Sequence, residues 1–199
     1  MSTIKVLGIC GSLRRASTNM GLMRYAQQHA PEGMSIEIAD LADMPFYNAD
    51  ISDKPAPVIR LLGQLERADA ILFACPEYNY SLAPALKNAL DWASREPGNH
   101  LLAGKAAAIM GAGGGMGTSR AQYHLRQVGV FLDLRFLNKP EVFSNAFSNS
   151  FDSNGNLGLS WIQSSSSEYL SMYVGVVNTA GDLAAITGRA APETPAPAA

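Results

Sequence analysis

Short apolar segments alternate with helical patterns along most of the chain. We predict β-strands at the apolar segments 4–10, 34–39, 70–75, 105–110 and 132–137. Apolar residues recur at helical spacing between and after them, and this predicts helices at 19–30, 58–68, 85–94, 118–130 and 159–178. Strand and helix therefore alternate five times, which is typical of an α/β domain.

Several strand segments are continuously apolar, and 70–75 is the clearest case, whereas 34–39 alternates between apolar and polar residues. Strands lose the polar alternation when helices cover both faces of the sheet. Right-handed crossovers leave few ways to connect such strands, and the doubly wound order 2-1-3-4-5 is the favoured one. We therefore predict a five-stranded parallel sheet with helices on both faces.

Composition limits the kinds of protein this chain can be. With 199 residues and 47% hydrophobic residues it has the length and the apolar content for one domain. We place that domain at residues 1–185 and expect the Pro/Ala-rich tail at 186–199 to be disordered. The net charge of −2 argues against nucleic-acid binding, which needs clustered Lys and Arg.

Cysteine and histidine usage points to neither a disulfide framework nor a metal site, because the chain has only two cysteines and three scattered histidines. Lys105 interrupts the best membrane-spanning candidate, residues 101–115. The apolar run before Cys10 is too short for a signal peptide. We expect a cytoplasmic protein that does not insert into a membrane.

Ligands of doubly wound sheets bind outside the carboxyl ends of the strands, so the loops after the first, third and fourth strands matter most. The first, at 11–19, opens a helix, and a helix start favours an anion. It carries neutral donors and a guanidinium, at Ser12, Ser17, Thr18 and Asn19 and at Arg14 or Arg15. This cluster predicts phosphate binding; the alternative is an ordinary capped helix with solvated arginines.

The type of phosphate ligand follows from motifs that are missing. The loop lacks the Gly-Lys-Ser/Thr signature of a P-loop. No stretch fits Gly-x-Gly-x-x-Gly before a helix, so a resident dinucleotide is disfavoured. A mononucleotide is the better prediction.

The second loop reads Pro76-Glu77-Tyr78-Asn79-Tyr80-Ser81. Its tyrosines offer flat faces and its asparagine an amide, so the loop suits the edge of a planar heterocycle. The alternative is a loop whose tyrosines pack on the surface. We do not predict that Glu77 is a general acid or base, because no acidic or histidine partner stands beside it in the sequence.

The third loop, at 111–119, is rich in glycine, including Gly113 and Gly114. Glycine allows unusual backbone angles and the close approach of a ligand. N–H groups at the following helix start favour negative charge on a nearby ring. The alternative is a mobile linker; the position at a strand end favours a functional loop.

Two motifs now stand in order along the chain. The first is Gly11-Ser12-Leu13-Arg14 with Ser17 and Asn19, and the second is Pro76-Glu77-Tyr78-Asn79 with Leu86-Lys87-Asn88-Ala89-Leu90-Asp91-Trp92. In both the chain resembles the NAD(P)H-dependent FMN reductase family, and within it the bacterial quinone and chromate reductases. The similarity continues through 120–127 and 138–141 and covers most of the chain up to about Phe143.

The resemblance implies a flavodoxin-like fold, bound FMN, and NADPH or NADH as the hydride donor. The acceptor would be a quinone or a similar small molecule, such as free flavin, chromate or an azo compound. By motif, the FMN phosphate would be held by Ser12, Arg14, Ser17 and Asn19. The flavin ring would be lined by Pro76, Glu77, Tyr78 and Asn79. Relatives in this family are commonly dimers or tetramers, so a homodimer or homotetramer is expected.

No catalytic side chain is predicted, because the hydride chemistry takes place on flavin N5 and the protein positions the flavin. Two other classes remain open at this point. A flavodoxin-type electron carrier would not oxidise NAD(P)H itself, and the weak net charge of −2 gives little support for the acidic docking surface of such carriers. A flavin-free binding module is the other.

Overall fold

A computed structural model of the chain describes residues 3–158 and Thr187. The strands are β1 (Ile4–Cys10), β2 (Met34–Ile38), β3 (Ala70–Ala74), β4 (Glu77–Tyr78), β5 (Ser81–Leu82), β6 (Ala106–Gly113), β7 (Arg135–Phe136) and β8 (Val142–Asn145). The helices are α1 (Thr18–Gln28), α2 (Ala56–Arg67), α3 (Pro84–Ala93) and α4 (Ser119–Phe131), with a 3₁₀ turn at Pro97–Asn99. The predicted helix at 159–178 and tail at 186–199 lie outside the described residues, apart from Thr187.

The main sheet has the order β2-β1-β3-β6-β7, with β8 also paired to β6, and every pairing in it is parallel. The doubly wound order predicted from the sequence is therefore confirmed. A separate two-stranded antiparallel sheet joins β4 and β5.

The outer edge of the sheet differs from the prediction, since six strands replace the expected five. The segment 132–137 supplies only the two residues of β7, which pair with the start of β6 at Ala106 and Ala107. The end of β6 pairs instead with β8, from Met110–Val142 to Gly113–Asn145. The fifth position is thus shared by two short strands, with residues 137–141 and the cis Lys139–Pro140 peptide between them.

Helices cover both faces of the sheet among the described residues. One hydrophobic cluster joins Leu7, Ile71 and Phe73 of the strands to the buried faces of α2, α3 and α4. The other joins Leu72 and Met110 to the buried face of α1. All five residues of β3 are buried, which explains why this strand is apolar throughout.

Proline marks the first turn of two helices. Pro84 opens α3 with Ala83 as its N-cap, as the sequence predicts, because the first helical position needs no N–H partner. Pro57 lies in the first turn of α2, so this helix begins at Ala56, two residues before the predicted start. Within the described part of the chain, no helix combines the length and the apolar character needed to cross a bilayer.

Candidate functional site

Three loops meet at the carboxyl edge of the sheet. Strands β1, β3 and β6 are parallel neighbours, with Cys10 opposite Ala74 and Ala74 opposite Met110. The loops that follow them therefore leave the same edge, where ligands of doubly wound sheets bind. The third loop is shorter than predicted, because β6 continues to Gly113 through its pairing with β8. Its tip is the turn 114–117.

The first loop places hydroxyl groups and arginines at the N-terminus of α1. Ser17 is the N-cap of α1, and its hydroxyl accepts the Met20 N–H at 3.2 Å. The Ser12 hydroxyl accepts the Arg14 N–H at 3.4 Å, which turns the loop back on itself. Arg14 and Arg15 are exposed, and within residues 3–158 neither forms an ion pair. Two unpaired guanidinium groups beside a helix N-terminus attract negative charge.

Asn19, in the first turn of α1, connects the end of the first loop to the end of β6, which leads into the third loop. Its side-chain amide donates from Nδ2 to the Ala112 carbonyl at 2.7 Å and accepts the Ala112 N–H at Oδ1 at 2.9 Å. This lies just past the end of β3, where the Cys75 N–H bonds to the Met110 carbonyl. Ala112 has no partner on β3, and the Asn19 amide takes the place of that partner. Both ends of the amide are therefore bonded to the protein backbone.

The second loop is a β-hairpin, which the sequence pattern does not predict. Tyr78 and Ser81 pair across a two-residue turn, and both turn residues have positive φ, 51° at Asn79 and 65° at Tyr80. Positive φ at both positions defines a type I′ turn, which matches the twist of a hairpin. Asn tolerates this backbone well, whereas a bulky aromatic residue such as Tyr80 is strained there. The usual Asn-Gly signal of such a turn is absent, so the sequence does not indicate a hairpin here.

A cluster of side chains from α4 holds this hairpin. The Glu77 carboxylate accepts the Ala121 N–H at 3.1 Å and pairs with Arg120 at 3.3 Å. The Arg120 guanidinium lies over the Tyr80 ring, 4.1 Å from its centroid. Thr118, the N-cap of α4, makes no side-chain cap bond, so Glu77 supplies the cap from another loop. Glu77 thus fastens the second loop to α4.

A further contact extends along the same helix. The Ser81 hydroxyl lies 3.1 Å from Nδ1 of His124. The rings of Tyr78 and Tyr80 remain exposed, at 46% and 65%. The hairpin is therefore anchored by α4 and both rings stay partly exposed, although the Arg120 guanidinium lies over one face of Tyr80.

The glycines of the third loop fall into two groups. A Cβ on Gly113 would lie 2.2 Å from the Gly117 carbonyl oxygen, so this position has no room for a side chain. Gly117 has a φ of +60° and its N–H bonds to the Gly114 carbonyl at 2.8 Å, closing the turn. Gly114 and Gly115 have nothing within 4 Å of such a Cβ, so their backbone faces open space. A ligand can approach the backbone closely there.

The two cysteines at strand ends are structural. Both are buried and neither is in a disulfide. Burial raises the pKa of Cys10 to about 11 and that of Cys75 to about 12. A thiol that stays neutral is a poor nucleophile, so these residues pack as small apolar groups.

Comparison with known proteins shows the family to which the chain belongs. Residues 4–149 match the sequence profile of the family described as NADPH-dependent FMN reductase. The chain belongs to this family. It is 54% identical over 157 residues to an NAD(P)H-dependent FMN reductase of Pseudomonas aeruginosa, covering 77% of this chain and 84% of that protein. It is 52% identical over 160 residues to an NAD(P)H:quinone oxidoreductase of Solanum tuberosum, covering 76% of this chain and 81% of that protein.

The fold of this FMN reductase family member is also found among solved structures. The flavoenzyme NAD(P)H:(acceptor) oxidoreductase FerB of Paracoccus denitrificans superposes with a TM-score of 0.75 at 28% identity. That comparison covers 90% of this chain and 98% of the FerB chain. The family resemblance and the flavodoxin-like fold predicted from the sequence are confirmed.

Proposed function

We propose that the protein is an FMN-dependent oxidoreductase that takes hydride from NADPH or NADH and passes it to quinones or similar small acceptors. Family membership across residues 4–149 and the close relatives described above support the reaction class. The observation that carries the assignment is the convergence of the three predicted loops at one edge, where Asn19 bonds the start of α1 to β6 and Glu77 bonds the second loop to α4.

The residues of the first loop fit a phosphate monoester. In our proposal the α1 N-terminus and the hydroxyls of Ser12 and Ser17 surround the phosphate, and Arg14 neutralises part of its charge. Asn19 acts through Ala112, because both ends of its amide are already bonded to that residue. It holds the first loop against the third rather than adding a donor to the phosphate.

The second and third loops fit a planar ring. We propose that Pro76, Tyr78 and Asn79 line one side of the isoalloxazine, with Glu77 holding that hairpin in position from α4. The backbone at Gly113 and Gly114 would approach the other side, where Gly114 is open. Bound FMN supplies the two-electron hydride chemistry, so the chain's own side chains need only bind, orient and exclude water.

The test is flavin binding and turnover with a matched pair of arginine variants. Purified protein is titrated with FMN, and NADPH and NADH oxidation is then followed with a panel of quinones, free flavins, azo dyes and chromate. Arg14→Gln removes a charge-assisted contact of about 1.5–3 kcal/mol, so the Kd for FMN should rise about tenfold or more. Arg60→Gln, at an exposed position on α2, is the control and should bind FMN like the wild type.

The outcomes separate the three classes of function. NAD(P)H oxidation coupled to quinone reduction supports the proposal. FMN binding without NAD(P)H oxidation would instead indicate an electron carrier. Failure of the protein to bind added FMN would refute the flavin assignment altogether.

We also propose that the protein is a cytoplasmic homo-oligomer. Val130 and Phe131, on the last turn of α4, are 81% and 79% exposed, and a groove of about 260 Å³ between α3 and α4 adjoins Phe131. Exposed apolar residues beside a groove suit a second copy of the chain. Light scattering should give a multimer that Phe131→Glu weakens and Phe46→Glu, a control at an exposed loop phenylalanine, does not. A monomeric wild type would refute this. The unpaired cysteines fit the reducing cytosol.

A further inference from the structure

The chain beyond β8 folds back toward the start of α1. The Ala146 N–H bonds to the Gly113 carbonyl at 2.7 Å, and Phe151 and Leu157 then pair across a turn. Asp152 organises this turn, since its Oδ1 accepts the N–H groups of Asn154 and Asn156, each at 2.8 Å. The family profile matches residues 4–149, and the turn lies just beyond the end of that match.

The tip of the turn is pressed against the first loop. Gly155 is buried and has a φ of +77°. A Cβ at this position would lie 2.7 Å from the Ser17 carbonyl carbon and 2.8 Å from the carbonyl group of Ala16. From the other side, a Cβ on Gly21 would lie 1.8 Å from the Gly155 carbonyl oxygen. The turn and the N-terminal part of α1 therefore pack backbone against backbone, at glycines that leave no room for a side chain.

A side-chain contact fastens the same interface. Arg24, one turn further along α1, donates from Nε and Nη2 to Oδ1 of Asn156 at 3.0 and 2.6 Å. Asn156 is itself held by Asp152, whose Oδ2 accepts its amide at 3.1 Å. The turn is thus rigid in itself and bonded to the helix whose first residues form the phosphate loop.

We propose that the turn 152–156 is a positioning element that holds Ala16 and Ser17 in the phosphate-binding conformation and so sets the affinity for FMN. The inference rests on the proposed function, because it takes the first loop as the phosphate site. Ser17 supplies both the N-cap hydroxyl and the backbone on which Gly155 packs. Charge-assisted hydrogen bonds weaken steeply with distance and angle, so a small shift of this backbone affects the phosphate contacts first.

The test compares two glycine-to-alanine variants with two flavins. Gly155→Ala places a methyl group against Ala16 and Ser17, whereas Gly98→Ala, at a φ of +68° with nothing within 4 Å, has the same backbone strain without a contact. Riboflavin lacks the phosphate and reports the ring site alone. We expect Gly155→Ala to raise the Kd for FMN about tenfold or more while leaving that for riboflavin within about twofold, and Gly98→Ala to change neither.

Several results would overturn the inference. Equal losses for FMN and riboflavin would mean that Gly155 supports the fold in general, and an unchanged Kd for FMN would mean that the turn has no role in binding. If Gly155→Ala does not fold, Arg24→Met keeps the aliphatic stem, removes the Asn156 contact, and should show the same phosphate-selective loss. Failure of the wild type to bind FMN would instead count against the proposed function.

Discussion

Replacing Asn19 with alanine separates two roles that the sequence alone cannot distinguish. A residue that binds the FMN phosphate matters only when the flavin is present. A residue that joins two loops matters in the flavin-free protein as well. The structure commits both ends of the Asn19 amide to Ala112, and Asn19 is only 5% exposed. We therefore expect Asn19→Ala to destabilise the protein without any flavin.

The size of the effect follows from the contacts that are lost. Two net hydrogen bonds contribute about 0.5–1.5 kcal/mol each, and the buried N–H and C=O of Ala112, which is 3% exposed, lose their partners. Because water can reach part of the sheet edge after truncation, we expect a loss of about 2–4 kcal/mol rather than the full sum of the penalties. For a domain of this size that corresponds to a fall in Tm of about 5–15 °C.

The assay is urea unfolding of the apoprotein followed by far-UV circular dichroism, with Asn48→Ala as the control. Asn48 is exposed and accepts one local hydrogen bond from the Asp50 N–H, so its removal should change the unfolding free energy by about 0.5 kcal/mol or less. If Asn19→Ala is as mild as this control in the apoprotein but binds FMN weakly, Asn19 is a phosphate ligand and the reasoning is wrong.

Further predictions concern buried thiols and two helical glycines. Cys10 and Cys75 should resist iodoacetamide in the native protein at neutral pH and react once it is unfolded. Alkylation of the native protein would contradict this. Because folding raises the pKa of both thiols, to about 11 and about 12, the unfolding free energy should fall as pH rises from the ordinary thiol range toward those values. Gly63→Ala should stabilise by about 0.5–1 kcal/mol, since its Cβ meets only a flexible arginine end at 3.4 Å. Gly129→Ala should destabilise by about 1–3 kcal/mol, because its Cβ would lie 2.0 Å from the Phe136 ring; equal effects in thermal melts would refute this contrast.

The sequence pattern was sufficient to predict those elements whose signal lies in a few consecutive residues. The strand at 70–75 is apolar throughout because both of its faces are buried, and the structure places β3 there. The start of α3 at Pro84 follows from the fixed φ of proline. The pattern failed at the sheet edge, where β7 and β8 are too short to show a period.

The candidate site divides in the same way. Hydroxyls and arginines at a strand-to-helix loop indicate an anion site from sequence alone, because a helix start has the same donors in any fold. The hairpin at Tyr78–Ser81 was missed, since its turn residues Asn79 and Tyr80 lack the glycine that signals such a turn. Its strained backbone is stabilised by Arg120, a residue of α4 that is distant along the sequence.

The chain's own order of residues determined the α/β class, the strand order and the three loops at the ligand edge. Only the folded chain decided which polar side chains bond to the protein and which remain open at that edge. Asn19 meets Ala112 across 93 positions of sequence, and Glu77 meets the Ala121 N–H across 44. A hydrogen bond depends on distances of about 3 Å in space, and periodicity records only which face a residue is on.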